Sequence, residues 1–565
     1  MTTTKVSIGS RTTTVDTETP ASSSGSGPLY VVAFGTTPSG IAVGDMGFMD
    51  TQDAGGGSPS DYEFVVTVIS GANITLKYLR DTGSKGDHSP LGLYTGAGSS
   101  GSPTQAAMVF KRHGLPTSSA DGAAPSYVVT FSDAGPPADS DVGDIAFVAG
   151  ASANFEYLIT AIDLSAKTAT MKYLTGSGQT SPYGIAGSNG TQAVLQFKRA
   201  FSTITLFEAM VDDASPTYWG SSDDVVGECH ADSTFTDNDI NFNSKQSLAS
   251  VTLTVVSGDR HDGTAESGVL IKPTTRGTHS HGLIQVQIDN MTIEWLDISL
   301  ASIPNASGGS TSQQWGIAMN GNNIDDLIIR NNLIHDCEGD KGSSGPIGIV
   351  AYTDGGAGNT WSILNNIIYN FTEGSNDSAG GIVCRKFRGT FNIYNNTVYK
   401  ITGQGGNKDA NGIKCGYYTN TVPNIKNNIV AGLTASDQKH AFNIESNVTS
   451  KSVGTNLSDD TADAAETAQT MGRAYDSSVN PGALVGQTLV EIDFVNTVAG
   501  SEDLHLDTDS VCREAGVDLG TTNGVNIDID QVDRDAAGVT WDIGADQATL
   551  GAGSAGTAFI MFLDT

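Results

Sequence analysis

An all-β chain is predicted, a right-handed parallel β-helix with two small tandem antiparallel β-domains inserted near its N-terminus, and three observations predict it. The core Ile-x-Asn-Asn recurs in IIRNNLIHDC, SILNNIIYNF, NIYNNTVYKI and NIKNNIVAGL, whose first asparagines are Asn331, Asn365, Asn395 and Asn427, at steps of 34, 30 and 32 residues. A second strand keeps the same beat in GIAM (316–319), GIVAY (348–352), GIVCRKF (381–387) and GIKCGYY (412–418). Gly is frequent at 68 residues and charged residues reach only 16%, a composition for short strands and tight turns rather than long amphipathic helices.

Along the chain, residues 1–11 contain VSIGS, a short strand. Two segments then repeat each other. YVVAF (30–34), VGDMGF (43–48), EFVVTVISGANITLKYL (63–79) and FKR (110–112) return as YVVTF (127–131), VGDIAF (142–147), EYLITAIDLSAKTATMKYL (156–174) and FKR (197–199). Both alternate apolar and polar residues, which predicts duplicate β-domains over 28–113 and 125–199. The stretches TPASSSGSGP and PTSSADGAAP read as flexible linkers. TLFEAMV (205–211) predicts a short helix, with Thr205 and Glu208 at capping-box spacing and Leu206, Phe207 and Met210 as its apolar face.

Residues 200–547 are assigned to the solenoid, about ten turns of roughly 32 residues with parallel strands stacked about 4.8 Å apart. Alternation places Ile329, Ile363, Ile393 and Ile425 in one inward column and Ile334, Ile368, Val398 and Val430 in another. Ile317, Ile349, Ile382 and Ile413 form a third, beside Met319, Ala351, Cys384 and Cys415. Asn at the corner tolerates the left-handed backbone, and asparagines on successive turns can bond in a ladder. Residues 548–565 read as a Gly-rich linker and an apolar strand. Within it Phe559, Ile560, Met561, Phe562 and Leu563 are expected to cap the last turn or, the reading preferred, to contact another subunit.

The opening VSIGS, FSTITLFEAM (201–210), DDVVGECHADSTFT (223–236) and GDRHDGT (258–264) resemble β-helix proteins of tailed bacteriophages, within the pectate lyase-like superfamily. The closing IDIDQVDRDAAGVTWDIGADQ (527–547) is similar to the end of many bacterial and phage surface β-helices. The resemblance covers residues 5–10 and 200–547; it makes residues 1–11 the first strand of the β-helix and the duplicated β-domains an insertion after it. It implies a virion surface protein such as a head decoration, fibre or tailspike component, made in the host cytoplasm. Its partners would be other virion proteins, a homo-oligomer (trimer by family expectation) and bacterial polysaccharide. A capsule-degrading lyase or hydrolase and a cell-surface adhesin are the alternatives.

The formal charge of −33 repels phosphate backbones and anionic lipid, so neither nucleic-acid binding nor membrane insertion is expected. The start MTTTKVSIGS has no apolar signal core, and five cysteines without close pairs predict neither a disulfide framework nor a zinc site. Cofactors and metals are not expected. His279 and His281 lack a third ligand, and the segment 335–342 (HDCEGDKG) lacks the EF-hand pattern and reads as a solvated loop.

For chemistry, the outward column Ala318, Val350, Val383 and Lys414 offers a flat face, with Tyr352 and Arg385 beside it and Asp354 following in a loop. Tyr352, Arg385 and Lys414 are glycan-binding candidates. Arg385 and Lys414 could neutralise a uronate and remove a proton, with Asp354 as a further weak catalytic candidate. A hydrolase needs two carboxylates, for which Asp325, Asp326, Asp336, Glu338, Asp340 and Asp354 are available.

Overall fold

The computed structural model describes residues 2–11, 14–18, 20–26, 29–36, 38–43, 45–51, 60–81, 94–95, 104–105, 107–114, 125–131, 135–148, 155–174, 195–213, 218–275, 282–301, 314–321, 324–339, 345–352, 359–373, 378–384, 389–403, 409–416, 421–445, 448, 452–459, 484–485, 487–536 and 539–548. Two compact units divide the chain. One holds residues 2–202 and 215–228; the other holds 203–214 and 229 onward.

In the first unit the duplication is visible as topology. One antiparallel sheet runs Met108–Lys111, Met46–Thr51, Ser60–Ser70, Asn73–Asp81, Leu29–Phe34. The other runs Leu195–Lys198, Ile145–Val148, Phe155–Asp163, Thr168–Tyr173, Ser126–Thr130, the same order of equivalent strands. Each sheet has its own apolar cluster, around Phe64 and Phe110 in one and Tyr157 and Phe197 in the other. TPASSSGSGP is not a free linker: Pro20–Ser26 pairs antiparallel with Leu29–Phe34 at the sheet edge, where Pro at the strand start costs no ladder bond. The second linker, PTSSADGAAP, lies almost wholly outside the described residues.

The repeated VGD and FKR motifs form the polar joint of this unit. Asp144 accepts from the backbone N–H of Asp141 at 3.0 Å and from Arg199 at 3.1 Å, and Arg11 also pairs with it. Its counterpart Asp45 accepts the equivalent backbone bond from Ala42 at 2.8 Å, but Arg112 reaches instead across to Asp139 at 2.6 Å. Burial outweighs the pull of Arg112, and Asp45 is raised to about 7.

The second unit is a parallel β-helix with three walls. The first wall stacks Ile240–Phe242, Ile284–Val286, Trp315–Met319, Ile347–Ala351, Ala379–Cys384, Ala410–Cys415 and Lys439–Ile444. The second stacks Ser250–Val255, Met291–Glu294, Leu327–Arg330, Asn359–Leu364, Gly389–Tyr394, Val422–Lys426 and Ser452–Gly454. The third stacks Leu270–Ile271, Asp297–Ser299, Leu333–Glu338, Ile367–Glu373, Thr397–Gly403, Ile429–Ala431 and Leu457–Ser458. Among the described residues seven coils contribute to all three walls, fewer than the ten expected, and Leu484–Val485 adds one more strand to the third wall before the chain leaves the stack at Thr488.

The four inward columns stand in register as predicted, for example Ile349 with Ile382 and Ile413, and Cys384 with Cys415. All five cysteines are buried free thiols that fill the core. Why the strand opens with Gly is steric. A β-carbon at Gly381 would lie 2.5 Å from Val398 Cγ1, and one at Gly412 would lie 2.2 Å from Val430 Cγ1. The first wall therefore approaches the aliphatic column of the third wall too closely for any side chain there.

The paired asparagines divide their labour. The first of each pair takes a left-handed backbone, with φ of 54°, 53°, 55° and 57° at Asn331, Asn365, Asn395 and Asn427. The second turns inward: Nδ2 of Asn332, Asn366 and Asn396 each donates to the next coil's Asn Oδ1 at 3.0 Å, and Asn428 donates to Asn456 at 2.9 Å. Each also returns a bond to a backbone carbonyl of the preceding coil, as Asn396 does to Ile363 at 2.9 Å, so these fully buried amides are satisfied.

The short helix is Ile204–Val211, and its cap differs from the prediction. Thr203 is the N-cap, accepting from Leu206 N–H, whereas the Thr205 hydroxyl donates to Asp237 at 2.6 Å. Its buried face is Ile204, Phe207, Glu208 and Val211, and Leu206 is half exposed.

Candidate functional site

From Thr488 the chain folds back along the coils as a strap. A capped turn, Leu489–Ile492, leads to a hairpin of Phe494–Asn496 and Asp503–Leu506. Ile492, Phe494, Leu504, Leu506, Ile529 and Ile543 cover the outer face of the third wall, against Leu333, Ile367, Tyr369, Tyr399, Ile429 and Leu457. The outward amides of the first asparagines tie it down. Asn331 donates to Asp528 O at 2.7 Å, Asn365 to Ile527 O at 2.7 Å, Asn395 to Val525 O at 3.2 Å and Asn427 to Val517 O at 2.8 Å. Gly544 comes so close that a β-carbon would lie 2.5 Å from Ile429, and its φ of +106° suits glycine.

The closing motif is a buried polar knot. Arg534, fully buried, donates to Gly544 O at 2.8 Å and Asp542 O at 3.2 Å, with Asp528 and Asp546 near it. Asp528 accepts from Val532 N–H at 2.6 Å and Gln547 N–H at 2.9 Å. Burial raises Asp528 to about 7 against the pull of Arg534.

Where strap and third wall diverge, an open cleft of about 670 Å³ is lined by Glu266, His335, Asp336, Tyr369, Glu502 and Asp503, among others. Its floor is a column within the repeat. His335, Tyr369 and Tyr399 share one register, and the His335 ring stacks on Tyr369 at 5.1 Å and 6°. The next residue on each coil is left-handed: Asp336 at φ 58°, Asn370 at 60°, Lys400 at 52° and Gly432 at 70°. This breaks the strand alternation, and three of the four send polar groups outward. Asn370 Nδ2 donates to Asp336 Oδ1 and to Glu502 Oε1, both at 2.9 Å, and Lys400 Nζ reaches the same Glu502 oxygen at 3.0 Å.

The charges follow from these contacts. His335 lies between Asp297 and Asp336 at 2.8 Å each, so both ring nitrogens donate. Burial opposes its charge, but the two carboxylates prevail and raise it to about 9. Burial likewise works against Asp336 and Glu502. Bonds from His335 and Asn370, and from Asn370 and Lys400 respectively, hold both below the usual carboxylate range. Two neighbouring carboxylates held ionised supply no proton donor, which a glycosidase pair requires.

The sites predicted from sequence fare differently. Val383 stacks on Lys414 as expected, but the column is no open face: Ala318 and Val350 are 0% exposed and Val383 only 6%. Tyr352 is half-buried, its ring 5.2 Å from Trp315, and Lys414 is half-buried. Asp354, Arg385, His279, His281 and the terminal residues Phe559, Ile560, Met561, Phe562 and Leu563 lie outside the described residues. HDCEGDKG is not all loop, since His335–Glu338 belongs to a strand. Among the predicted carboxylates Asp336 lines the cleft; its partners His335, Asn370, Lys400 and Glu502 were missed. The signal was a polar or glycine residue five places after each first asparagine, where an alternating strand would continue. No family model matches the chain, and no curated protein is significantly similar to it.

Proposed function

We propose that this chain is a structural and adhesion protein of a tailed-bacteriophage surface, and that its cleft binds bacterial polysaccharide. The observation that carries this reading is the cleft lining, where Asp336, Glu502 and Asp503 stand beside the Tyr369 ring and the left-handed Asn370 and Lys400 hold Glu502 in place. The hydroxyls and apolar faces of a glycan match carboxylates set beside an aromatic ring, and a parallel β-helix holds such groups on rigid elements. The resemblance of the opening and closing segments to phage β-helices supplies the particle assignment, with other virion proteins and further copies of the chain as partners.

Binding is favoured over glycoside hydrolysis because hydrogen bonds hold both Asp336 and Glu502 below the usual carboxylate range, which leaves that pair without a carboxylic acid to protonate a leaving group. Incubation with a panel of capsular and O-antigen polysaccharides tests this. The expected result is retention of one class without release of reducing or unsaturated ends, weakened at least tenfold by Asn370→Ala. Release of sugar ends would establish the depolymerase alternative. Antibody against the chain should decorate phage particles in electron micrographs. Labelling of uninfected bacterial cells would instead favour the cell-surface adhesin.

A further inference from the structure

Beside the cleft, three separate pieces of the strap bring together one imidazole and two carboxylates. His505 comes from the hairpin, Asp530 from the turn after the polar knot begins and Asp546 from the closing motif. One donor atom from each lies within 4.8 Å of the others. Asp503 pairs with His505 Nδ1 from behind, which turns Nε2 toward Asp530 at 3.1 Å. A carboxylate holding the far nitrogen is how metal-binding imidazoles are commonly oriented.

A second observation is independent of that orientation. Asp546 is only 3% exposed, and its hydrogen bond is to Oδ2, from Leu506 N–H at 2.8 Å. Its Oδ1 accepts no hydrogen bond among the described residues, which leaves one lone-pair face of an otherwise buried carboxylate open to a ligand. Space is kept for the ring as well: a β-carbon at Gly263 would lie 2.5 Å from His505 Nε2.

We propose that His505, Asp530 and Asp546 bind one divalent transition-metal ion of the zinc class, which clasps the hairpin to the closing motif. Zinc takes imidazole nitrogen and carboxylate oxygen at about 2.0–2.2 Å, so its donors sit within roughly 4 Å of one another. The present spacing, within 4.8 Å, closes to that range by small side-chain movements. The ion replaces the proton now shared between Nε2 and Asp530, and water fills the remaining coordination position. Calcium, which prefers oxygen ligands throughout, is selected against by the imidazole.

The test uses the full chain stripped with EDTA and titrated with Zn²⁺ by calorimetry, with bound metal counted by mass spectrometry. One zinc per chain and a rise in Tm are expected. Asp530→Asn should lower zinc affinity at least tenfold, and shrink the zinc-dependent rise in Tm by more than it changes the Tm of the metal-free protein, where only its ion pair with His505 is lost. His505→Gln should abolish the zinc-dependent rise. Absence of retained zinc, unchanged affinity in Asp530→Asn, or calcium binding as tight as zinc would each overturn the proposal.

Discussion

The coil stack and the strap lying on it both bury backbone against the same wall, but with different materials. The coils repeat one solution, with aliphatic columns in register and, over five of them, an amide ladder at the corner. The strap has almost no regular structure and relies on single contacts: a fully buried arginine, aspartates with raised pKa and hydrogen bonds from the outward asparagines. Repetition spreads stability over many equivalent, uncharged contacts. The strap concentrates it in a few ionisable groups, each with no substitute.

That contrast can be broken most severely at Arg534. Arg534→Met leaves Asp528, Asp542 and Asp546 buried without their counter-charge, a loss of roughly 3–5 kcal/mol. Hydrogen exchange should rise across 489–548 while the coils stay protected; uniform exchange through both regions would show that strap and coils unfold as one. Within the ladder, Asn396→Ala strands the Asn366 amide and the Ile363 carbonyl, and should cost about 2–4 kcal/mol in the urea midpoint. This effect should not vary between pH 6 and 9, since no charge is involved.

A pH series sharpens the comparison further. His335 is raised from 6.5 to about 9 in the folded protein, so its contribution is fully present below about 6.5 and is lost as pH climbs through 9. Stability should therefore fall by on the order of 2–3 kcal/mol between pH 6 and 10. His335→Gln should reduce that slope, the remainder belonging to His505, which its carboxylate neighbours also raise against burial; an unchanged slope would place the titration elsewhere. Smallest of all, Lys400→Ala should cost no more than about 1 kcal/mol, because its bond to Glu502 is partly solvated. Its larger effect should be on polysaccharide retention.

The coils were legible in the sequence because a period of two within a period of about 32 residues leaves every inward residue in a predictable column. Ile317, Ile349, Ile382 and Ile413 needed no tertiary information. The strap was not legible, since its contacts join residues some 90 to 200 positions apart with no repeat to betray them, as between Asn331 and Asp528. Its motif IDIDQVDRDAAGVTWDIGADQ falls within the residues assigned to the solenoid and is instead a knot about Arg534. The cleft was half legible. The column Asp336, Asn370, Lys400 and Gly432 lay in plain sight, but reading it as left-handed required knowing that the strand alternation fails there. Burial of the Val350 and Val383 face had no such sign, because short apolar residues suit an open wall and a covered one equally.

The asparagine ladder gives the coils an electrical direction. Each side-chain amide donates toward the C-terminal neighbour and accepts from the N-terminal one, and the backbone N–H of Asn332, Asn366, Asn396 and Asn428 points the same way. Aligned head to tail, five dipoles add rather than cancel, as peptide units do along a helix axis. Coils inserted within the run would lengthen this array without changing its sense, whereas a reversed coil would meet donor with donor. One small side chain thus fixes the polarity of every layer stacked upon it.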